Sequence, residues 1–330
     1  MKLLELLTQT NSVSGNEEAV CEIIRNEIEA YVDEISTDGL GNLIAHKKGN
    51  GKKLMLAAHA DEIGVIVTYV EENGFLRFAP VGGVDAYNAI NTRVVFSNGT
   101  TGVVSYEADA DVKKNLDFRK MYIDICAGTR EDAVKLVNVG DVAAFSGDFV
   151  SDEKKIVSKA LDNRAGVYAL IRAIKECTET GFDTYFVFSS QEELGLRGAK
   201  TAAFAINPDY ALAVDITATG DIPGSLAGSV KLGGGACIKI MDKSVMCHPK
   251  IRRALEKCAS DNGIKVQNEV LTFGGTDAGS IHITGDGVIT GGVSIPLRYI
   301  HSPSETAFTE DIESVISLLG AFIRKNYIED

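Results

Sequence analysis

Apolar runs separated by helix-like segments dominate both ends of the chain. The run KLMLAAHAD (53–61) is apolar at nearly every position, and TYFVFSS (184–190) and YALAVDIT (210–217) share this texture. Strands that are apolar on both faces are typical of a sheet covered by helices on both sides. The helical pattern AGVYALIRAIKEC (165–177) precedes one of these runs. The alternation predicts an α/β domain with a mixed, mostly parallel sheet.

The middle of the chain has a different pattern. VIVTYVEENGFLRFAP (65–80) contains Asn73-Gly74 between two strand-like runs, and TRVVFSNGTTGVVSYE (92–107) contains Asn98-Gly99. Both dipeptides are strong hairpin signals, so this part is predicted to be mainly antiparallel. We therefore expect one discontinuous α/β domain, residues 1–64 and 156–330, interrupted by a β-rich domain at 65–155.

Local signals also predict where two helices begin. The stretch Ser14-Gly15-Asn16-Glu17 has the spacing of a capping box, which predicts a helix extending to about Tyr31. The acidic stretch from Glu310 onward precedes an apolar pattern and predicts a C-terminal helix.

The composition is that of an acidic globular protein. Of 330 residues, 45% are hydrophobic and 24% are charged, and the formal net charge is −13. Nucleic acids and anionic membranes repel such a charge, so neither is expected as a partner. No run of 18 uncharged apolar residues predicts a transmembrane helix, and the apolar start is too short for a signal peptide. The six cysteines lack CxxC spacing and are expected to be reduced, which favours a cytoplasmic location.

Residues that bind metals or transfer protons follow several of the apolar runs. Ligand sites in open α/β sheets lie beyond the carboxyl ends of the strands, so these residues are candidates for one site. They are His59 and Asp61 after KLMLAA, Asp162 in KIVSKALD, Glu192 and Glu193 after TYFVFSS, Asp215 after YALAV, and His301 after VSIPLRY.

Each candidate also has a structural explanation. A single histidine at a strand end is commonly a hydrogen-bonded structural residue, Asp162 could be a helix N-cap, and Asp215 could end its strand in a turn. Acids at the buried ends of several strands, however, repel one another unless a cation compensates their charge. Two imidazoles and three carboxylates form a ligand set for two divalent ions, and mixed nitrogen and oxygen ligands suit zinc, cobalt or manganese. His46 and His248 are expected to be structural.

The adjacent acids Glu192 and Glu193 raise a separate question, because neighbouring side chains in a strand point to opposite faces. A solvated strand end before a helix would explain both, since acids are favoured near a helix N-terminus. Alternatively, the alternation relaxes where the strand ends, and one glutamate binds metal while the other accepts a proton from water. Asp61 lies two residues after His59 on the same strand face, where it can accept a hydrogen bond from the imidazole and fix its tautomer.

Six motifs together resemble those of a known family. In chain order they are AHADEIG, ALDNRAG, QEELGLRGA, AVDIT, GGTDAGS and PLRYIHSP. They are similar to the motifs of the di-metal aminopeptidases of the tetrahedral (TET), glutamyl and deblocking family, which includes FrvX-like metallopeptidases. The resemblance covers essentially the whole chain, including the inserted domain. It implies two divalent ions per subunit, with His59 and Asp215 on one, Glu193 and His301 on the other, Asp162 bridging them and Glu192 as general base.

The same resemblance carries expectations about architecture and substrate. It implies a zinc-peptidase-like catalytic domain whose inserted domain builds dimers, and these dimers assemble into hollow tetrahedral dodecamers. The substrates would be short peptides that lose their N-terminal residue. The loop containing Thr276 and Asp277 would lie beside the active site, although a tight turn with an aspartate cap explains these two residues nearly as well.

Two other functions compete with this one. A glycoside hydrolase could use Glu192 and Glu193 as acid and base, but such carboxylates flank the sugar about 5–9.5 Å apart, and the histidines would have no role. A non-catalytic assembly or peptide-binding protein is the other alternative, although all six chemical residues are present. The sequence specifies neither the preferred N-terminal residue nor the native metal, and it does not separate dimer from dodecamer.

Overall fold

The computed structural model describes residues 1–110, 116–225 and 228–328. Its helices are α1 (Lys2–Gln9), α2 (Glu18–Ile28), α3 (Ala86–Ala89), α4 (Arg130–Val134), α5 (Leu161–Glu176), α6 (Arg197–Ile206), α7 (Pro249–Asp261), α8 (Ala278–Ile281) and α9 (Thr309–Arg324). Its strands are β1 (Glu34–Thr37), β2 (Leu43–Lys47), β3 (Lys53–His59), β4 (Gly64–Val70), β5 (Leu76–Val81), β6 (Arg93–Phe96), β7 (Thr101–Tyr106), β8 (Met121–Asp124), β9 (Val142–Phe145), β10 (Val150–Ser151), β11 (Lys155–Ser158), β12 (Asp183–Ser189), β13 (Tyr210–Ala218), β14 (Ala236–Met241), β15 (Val266–Val270), β16 (Ile289–Leu297) and β17 (Glu305–Phe308). The predicted domain ranges include residues 111–115, 226–227 and 329–330, which lie outside the described residues.

The largest sheet has eight strands in the order β1-β2-β12-β3-β13-β16-β14-β15. The four central strands β12, β3, β13 and β16 are parallel neighbours. The pairs β1–β2, β2–β12 and β16–β14 are antiparallel, while β14 and β15 are parallel. The expectation of a mixed α/β fold is therefore confirmed.

Strand β3 shows why its sequence is apolar throughout. Leu54, Leu56 and Ala58 belong to the large core that α1, α2, α5, α7 and α9 form on one face of the sheet. Met55 and Ala57 belong to a second core with α6 and α8 on the other face. Because successive side chains in a strand point to opposite faces, a strand between two helical layers needs apolar residues at every position.

A closed antiparallel barrel is inserted after β3. Its strands lie in the order β4-β5-β8-β7-β6-β9 and enclose a separate apolar core. The two predicted hairpins, β4–β5 and β6–β7, are confirmed, and Gly74 and Gly99 adopt the positive φ that their turns require.

The chain returns from the barrel through a small sheet of order β10-β11-β17. In this sheet Ser158 of β11 is paired with Glu305 of β17. The start of α5, which follows β11, and the segment before β17 are therefore neighbours, although they are about 140 residues apart in sequence. This pairing brings Asp162 and His301 to the same place.

The helix predicted to extend to about Tyr31 is present, since α2 continues into a 3-10 turn at Glu29–Tyr31, but the predicted capping box is wrong. Helix α2 begins at Glu18, and its N-cap residue Glu17 makes no side-chain capping hydrogen bond. The hydroxyl of Ser14 instead donates to the Asp61 carboxylate at 2.5 Å. In a capping box the serine oxygen accepts a hydrogen bond from a backbone N–H, whereas here the hydroxyl donates a charge-assisted bond to a buried carboxylate. Ser14 therefore supports the edge of the sheet and not the helix.

Two other expectations concern cysteines and membrane spans. All six cysteines are free, as their spacing predicted. Within the described part of the chain, no helix combines the length and apolar character needed to cross a bilayer.

Candidate metal centre

The candidate residues meet at the carboxyl edge of the central parallel strands. His59 is the last residue of β3. Strand β13 pairs with β3 only as far as Ala213 but continues beside β16 to Ala218. Asp215 therefore lies within β13, not at its end as predicted, and the register that pairs Ala213 with Ala57 places Asp215 level with His59.

Asp162 does not cap a helix, so its alternative explanation is wrong. It lies in the first turn of α5 with non-helical angles, φ −79° and ψ 103°, and the peptide bond that follows it is cis. The side chain of Asn163 accepts a hydrogen bond from Gly166 N at 3.1 Å and donates one to Val214 O at 2.9 Å. Asn163 thus holds the start of the regular helix, and the Asp162 carboxylate faces the site.

One cluster of possible metal ligands contains His59, Asp162 and Asp215. The His59 Nε2 atom lies 3.1 Å from Asp162 Oδ1 and 3.7 Å from Asp215 Oδ1. All three residues are buried.

A second cluster contains Asp162, Glu193 and His301. The His301 Nε2 atom lies 3.1 Å from Glu193 Oε1 and 3.3 Å from Asp162 Oδ2. Asp162 therefore belongs to both clusters, with one carboxylate oxygen directed at each imidazole.

Glu192 lies close to the first cluster, with its Oε2 atom 3.9 Å from His59 Nε2. A third possible ligand group, His59, Glu192 and Glu193, overlaps the other two. Both adjacent glutamates therefore lie within reach of an ion beside His59.

Asp61 fixes the backbone of both glutamates. Its carboxylate accepts hydrogen bonds from Glu192 N at 3.0 Å and from Glu193 N at 3.2 Å, in addition to the one from Ser14. Its Oδ1 atom also lies 3.3 Å from His59 Nδ1. Burial raises the pKa of Asp61, but His59 and these hydrogen bonds outweigh burial and lower it. Asp61 is therefore held as an anion behind the site.

The clustered groups shift one another's protonation. Burial raises the pKa of Glu192 and of Asp215 well above the carboxylate range, and neighbouring acids raise it further against the effect of His59. Burial lowers the pKa of His301, but hydrogen bonds to Asp162 and Glu193 reverse this and raise it to about 12. Four carboxylates around two imidazoles leave negative charge in excess, which protons or cations must compensate.

This donor set fits divalent metal ions. Each of the first two clusters offers one imidazole nitrogen and two carboxylates, and such mixed ligands suit zinc, cobalt or manganese. Within the described residues, the groups of opposite charge that pair with these carboxylates at up to 4 Å are the two imidazoles. A divalent ion would therefore supply charge that the protein's own side chains leave uncompensated.

A cavity of about 490 Å³ opens onto both clusters. Beyond the acids and histidines, its lining is largely apolar and includes Leu196, Leu271 and Phe273. Thr276 also lines this cavity, whereas Asp277 lies beneath it and accepts a hydrogen bond from Ser189 Oγ at 2.5 Å. Burial raises the pKa of Asp277 to about 6. Of the two predicted loop residues, Thr276 is thus the one that borders the cavity.

Three supporting residues have no clear signal in the sequence. Ser14 was assigned to a helix cap, and Gly83 lies in the barrel, far from the motifs. Glu305 accepts hydrogen bonds from Asp162 N at 2.9 Å and from His301 N at 2.8 Å, which ties the two clusters together. An acid four residues after His301 was the only available hint for Glu305.

The other three histidines are engaged elsewhere, and His282 Nδ1 lies 2.9 Å from Ala278 O within its own turn. His46 and His248 were predicted to be structural. His46 Nε2 lies 2.7 Å from Asp183 and its ring stacks on Tyr185, and His248 accepts a hydrogen bond from Lys250 N at the start of α7. Both are structural, as predicted.

Comparison with known proteins places the chain among peptidases. Over 317 residues it is 56% identical to a protein of Acetivibrio thermocellus that carries the provisional name aminopeptidase, covering 96% of each chain. An aminopeptidase structure from the archaeon Desulfurococcus kamchatkensis matches with a TM-score of 0.95 at 36% identity, covering 99% of this chain and 95% of that one. The Pyrococcus horikoshii TET1 peptidase, which can assemble into a tetrahedron or a large octahedral shell, matches with a TM-score of 0.89 at 35% identity, covering 98% and 99%.

A further similar structure has a different description. It is an endoglucanase from Thermotoga maritima, with a TM-score of 0.85 at 32% identity, covering 98% of this chain and 97% of that one. Residues 41–318, however, match the model of the M42 glutamyl aminopeptidase family. With this match and the whole-length similarity to its relatives, the chain belongs to the M42 glutamyl aminopeptidase family, as its motifs predicted.

Proposed function

We propose that this protein is a metal-dependent aminopeptidase that removes N-terminal residues from short peptides. The observation that carries the proposal is the Asp162 carboxylate, whose two oxygens face two different imidazoles at 3.1 and 3.3 Å. Membership of the M42 family supports the same activity. The adjoining cavity, about 490 Å³, lies within the size range of small-ligand sites.

The proposed assignment uses each cluster for one ion. His59 and Asp215 would hold one, Glu193 and His301 the other, and Asp162 would contact both. Zinc, cobalt and manganese all suit these ligands. When bound, such ions polarise a carbonyl group and lower the pKa of water.

The chain's own residues perform the proton transfers in this scheme. Glu192 lines the cavity, and its Oε2 atom is the proposed proton acceptor for the attacking water. Burial raises the pKa of Glu192, and a raised pKa makes the ionised carboxylate a stronger proton acceptor. The same atom then returns the proton to the leaving amine, while Asp61 holds the Glu192 amide and so fixes the position of the base.

The inserted barrel is proposed to drive self-association as the oligomerisation domain 65–155. It carries none of the six proposed ligand and base residues, and it presents exposed apolar side chains such as Tyr87, Leu136 and Val139. The TET1 relative assembles into closed shells, and we favour the dodecamer here. We also place the protein in the cytoplasm, in line with its free cysteines.

A glycoside hydrolase is the alternative, and one structural relative is described as an endoglucanase. That reaction uses two carboxylates and leaves the two imidazoles and the shared Asp162 without a role. Hydrolysis of an aminoacyl p-nitroanilide, but not of a cellodextrin, with loss of activity on chelation, would separate the two. A metal-loaded protein inactive on both substrate classes would favour a non-catalytic protein.

The two adjacent glutamates should respond differently to substitution. Glu192→Gln preserves shape and metal content but removes the proton acceptor, so turnover should fall by about 10²–10⁴-fold. Glu193→Gln replaces an anionic ligand with a neutral one, so it should bind one ion more weakly and recover part of its activity at high metal concentration. Elemental analysis and kcat across a metal titration distinguish them. If Glu192→Gln alone lost metal, Glu192 would be the ligand and Glu193 the base. If both variants kept full activity, the two glutamates would simply be the solvated end of a strand.

Chelation should abolish peptidase activity without unfolding the protein. The two helical layers and the barrel bury extensive apolar cores, so the fold does not depend on an ion as a zinc finger does. Far-UV circular dichroism should remain unchanged after dialysis against a chelator, and added metal should restore activity. Loss of the helical signal on chelation would contradict this account.

Asp61→Asn should destabilise the protein and weaken metal binding on the His59 side. The substitution replaces one carboxylate oxygen, an acceptor, with an NH₂ group, a donor that would face the N–H or O–H donors around Asp61. Leaving a buried polar group unsatisfied costs about 1–3 kcal/mol of folding free energy. Ser14→Ala is the matched control, because it removes one of the same hydrogen bonds while leaving the carboxylate. Thermal unfolding and metal titration of both variants test this. An Asp61→Asn protein as stable and as metal-avid as Ser14→Ala would show that the carboxylate has no special role.

Self-association is tested by light scattering of the purified protein. We expect a mass well above that of one chain, most simply a dodecamer. A fully active monomer would contradict the proposed role of the barrel.

A further inference from the structure

The turn between β5 and α3 of the inserted barrel lies against the second cluster. The carbonyl oxygen of Gly83 accepts a hydrogen bond from His301 Nδ1 at 2.9 Å, and Gly83 lines the cavity. At the neighbouring Gly82, an added Cβ would lie 3.1 Å from both Cβ and Oε2 of Glu193. The turn of the barrel therefore lies beside His301 and Glu193, the two residues that form the second cluster with Asp162.

The Gly83 contact determines which nitrogen of His301 is free. An imidazole that donates Nδ1–H to a carbonyl presents an unprotonated Nε2 when neutral, and Nε2 is the atom that faces Glu193 and Asp162. From the opposite side, Glu305 accepts the backbone N–H of His301 at 2.8 Å. The catalytic domain thus fixes the backbone of His301, and the barrel fixes its ring.

We propose that Gly83 is a positioning residue through which the inserted barrel completes the second metal site. The proposal rests on the metal-binding role proposed above for His301. It gives the barrel a part in the metal centre that is separate from self-association.

The absence of a side chain at residue 83 is part of the same arrangement. An added Cβ would lie 2.6 Å from Nδ1 and 2.7 Å from Cε1 of His301, closer than real Cβ contacts allow. Gly83 does not have a positive φ, whereas Gly82 has a φ of +81°. Alanine at residue 83 therefore causes no backbone strain of that kind, and it acts by displacing the His301 ring.

The experiment compares Gly83→Ala with Gly128→Ala. Gly128 is in the same barrel, has no positive φ, and an added Cβ there meets nothing within 4 Å. Metal-free proteins are titrated with zinc by calorimetry. The Kd of one of the two ions should rise about 10–100-fold in Gly83→Ala, the range found when the hydrogen-bond partner of a ligand is lost, while the other ion and the control stay unchanged. Equal binding by the two variants would overturn the proposal, as would a wild-type protein that binds fewer than two ions.

A double-mutant cycle with His301→Ala separates positioning from a general disturbance of the barrel. Without the imidazole, Gly83→Ala has nothing to displace and should cause no further loss of zinc affinity. If Gly83→Ala alone failed to fold, the double variant should fold, because the clash is gone. A full further loss of affinity, or a double variant that still fails to fold, would overturn the proposal. A wild-type protein that binds two ions but cleaves no aminoacyl amide would refute the proposed function and leave this inference intact.

Discussion

Two imidazoles from distant parts of the chain share one carboxylate, that of Asp162, and the other contacts of the site support this arrangement. His59 comes from the end of β3 and His301 from the loop after β16, more than 240 residues later. Asp162 can reach both because Asn163 holds the start of the regular helix α5 and Glu305 accepts the Asp162 backbone N–H. The excess negative charge that results is the physical reason for proposing that cations bind here.

The side-by-side glutamates are explained by the loop that follows β12. The strand ends at Ser189, and Gln191 adopts a positive φ of 54°, so the alternation of side chains no longer applies at Glu192. The Asp61 carboxylate then accepts both glutamate amides. One buried anion therefore fixes the backbone of both glutamates, and both residues line the cavity.

Much of the fold could be predicted from the periodicity of apolar residues and from turn dipeptides, because these signals depend only on neighbouring residues. The doubly apolar β3 predicted two helical layers, and Asn73-Gly74 predicted the first barrel hairpin. The candidate residues were also correctly expected to lie together, since the carboxyl ends of parallel strands meet at one edge of the sheet. The role of Ser14 was predicted wrongly, because the spacing from Ser14 to Glu17 is the same whether the serine caps a helix or binds a distant carboxylate.

The remaining errors depend on contacts between distant segments. The position of Asp215 within β13 follows from the unequal lengths of its pairings with β3 and β16, which no local pattern encodes. Glu305 and Gly83 support His301 only because β11 pairs with β17 and the barrel packs beside the sheet. Such roles arise from topology, and a single sequence gives at most a weak hint of them, as with the acid four residues after His301.

We propose that two ions bind side by side and share Asp162. Anomalous diffraction from crystals of the metal-loaded protein, recorded at the absorption edge of the bound metal, tests it most directly. The account predicts two peaks per chain, one contacting His59 and Asp215 and the other contacting Glu193 and His301, with one Asp162 oxygen on each. A single peak, or peaks that do not contact Asp162, would contradict it.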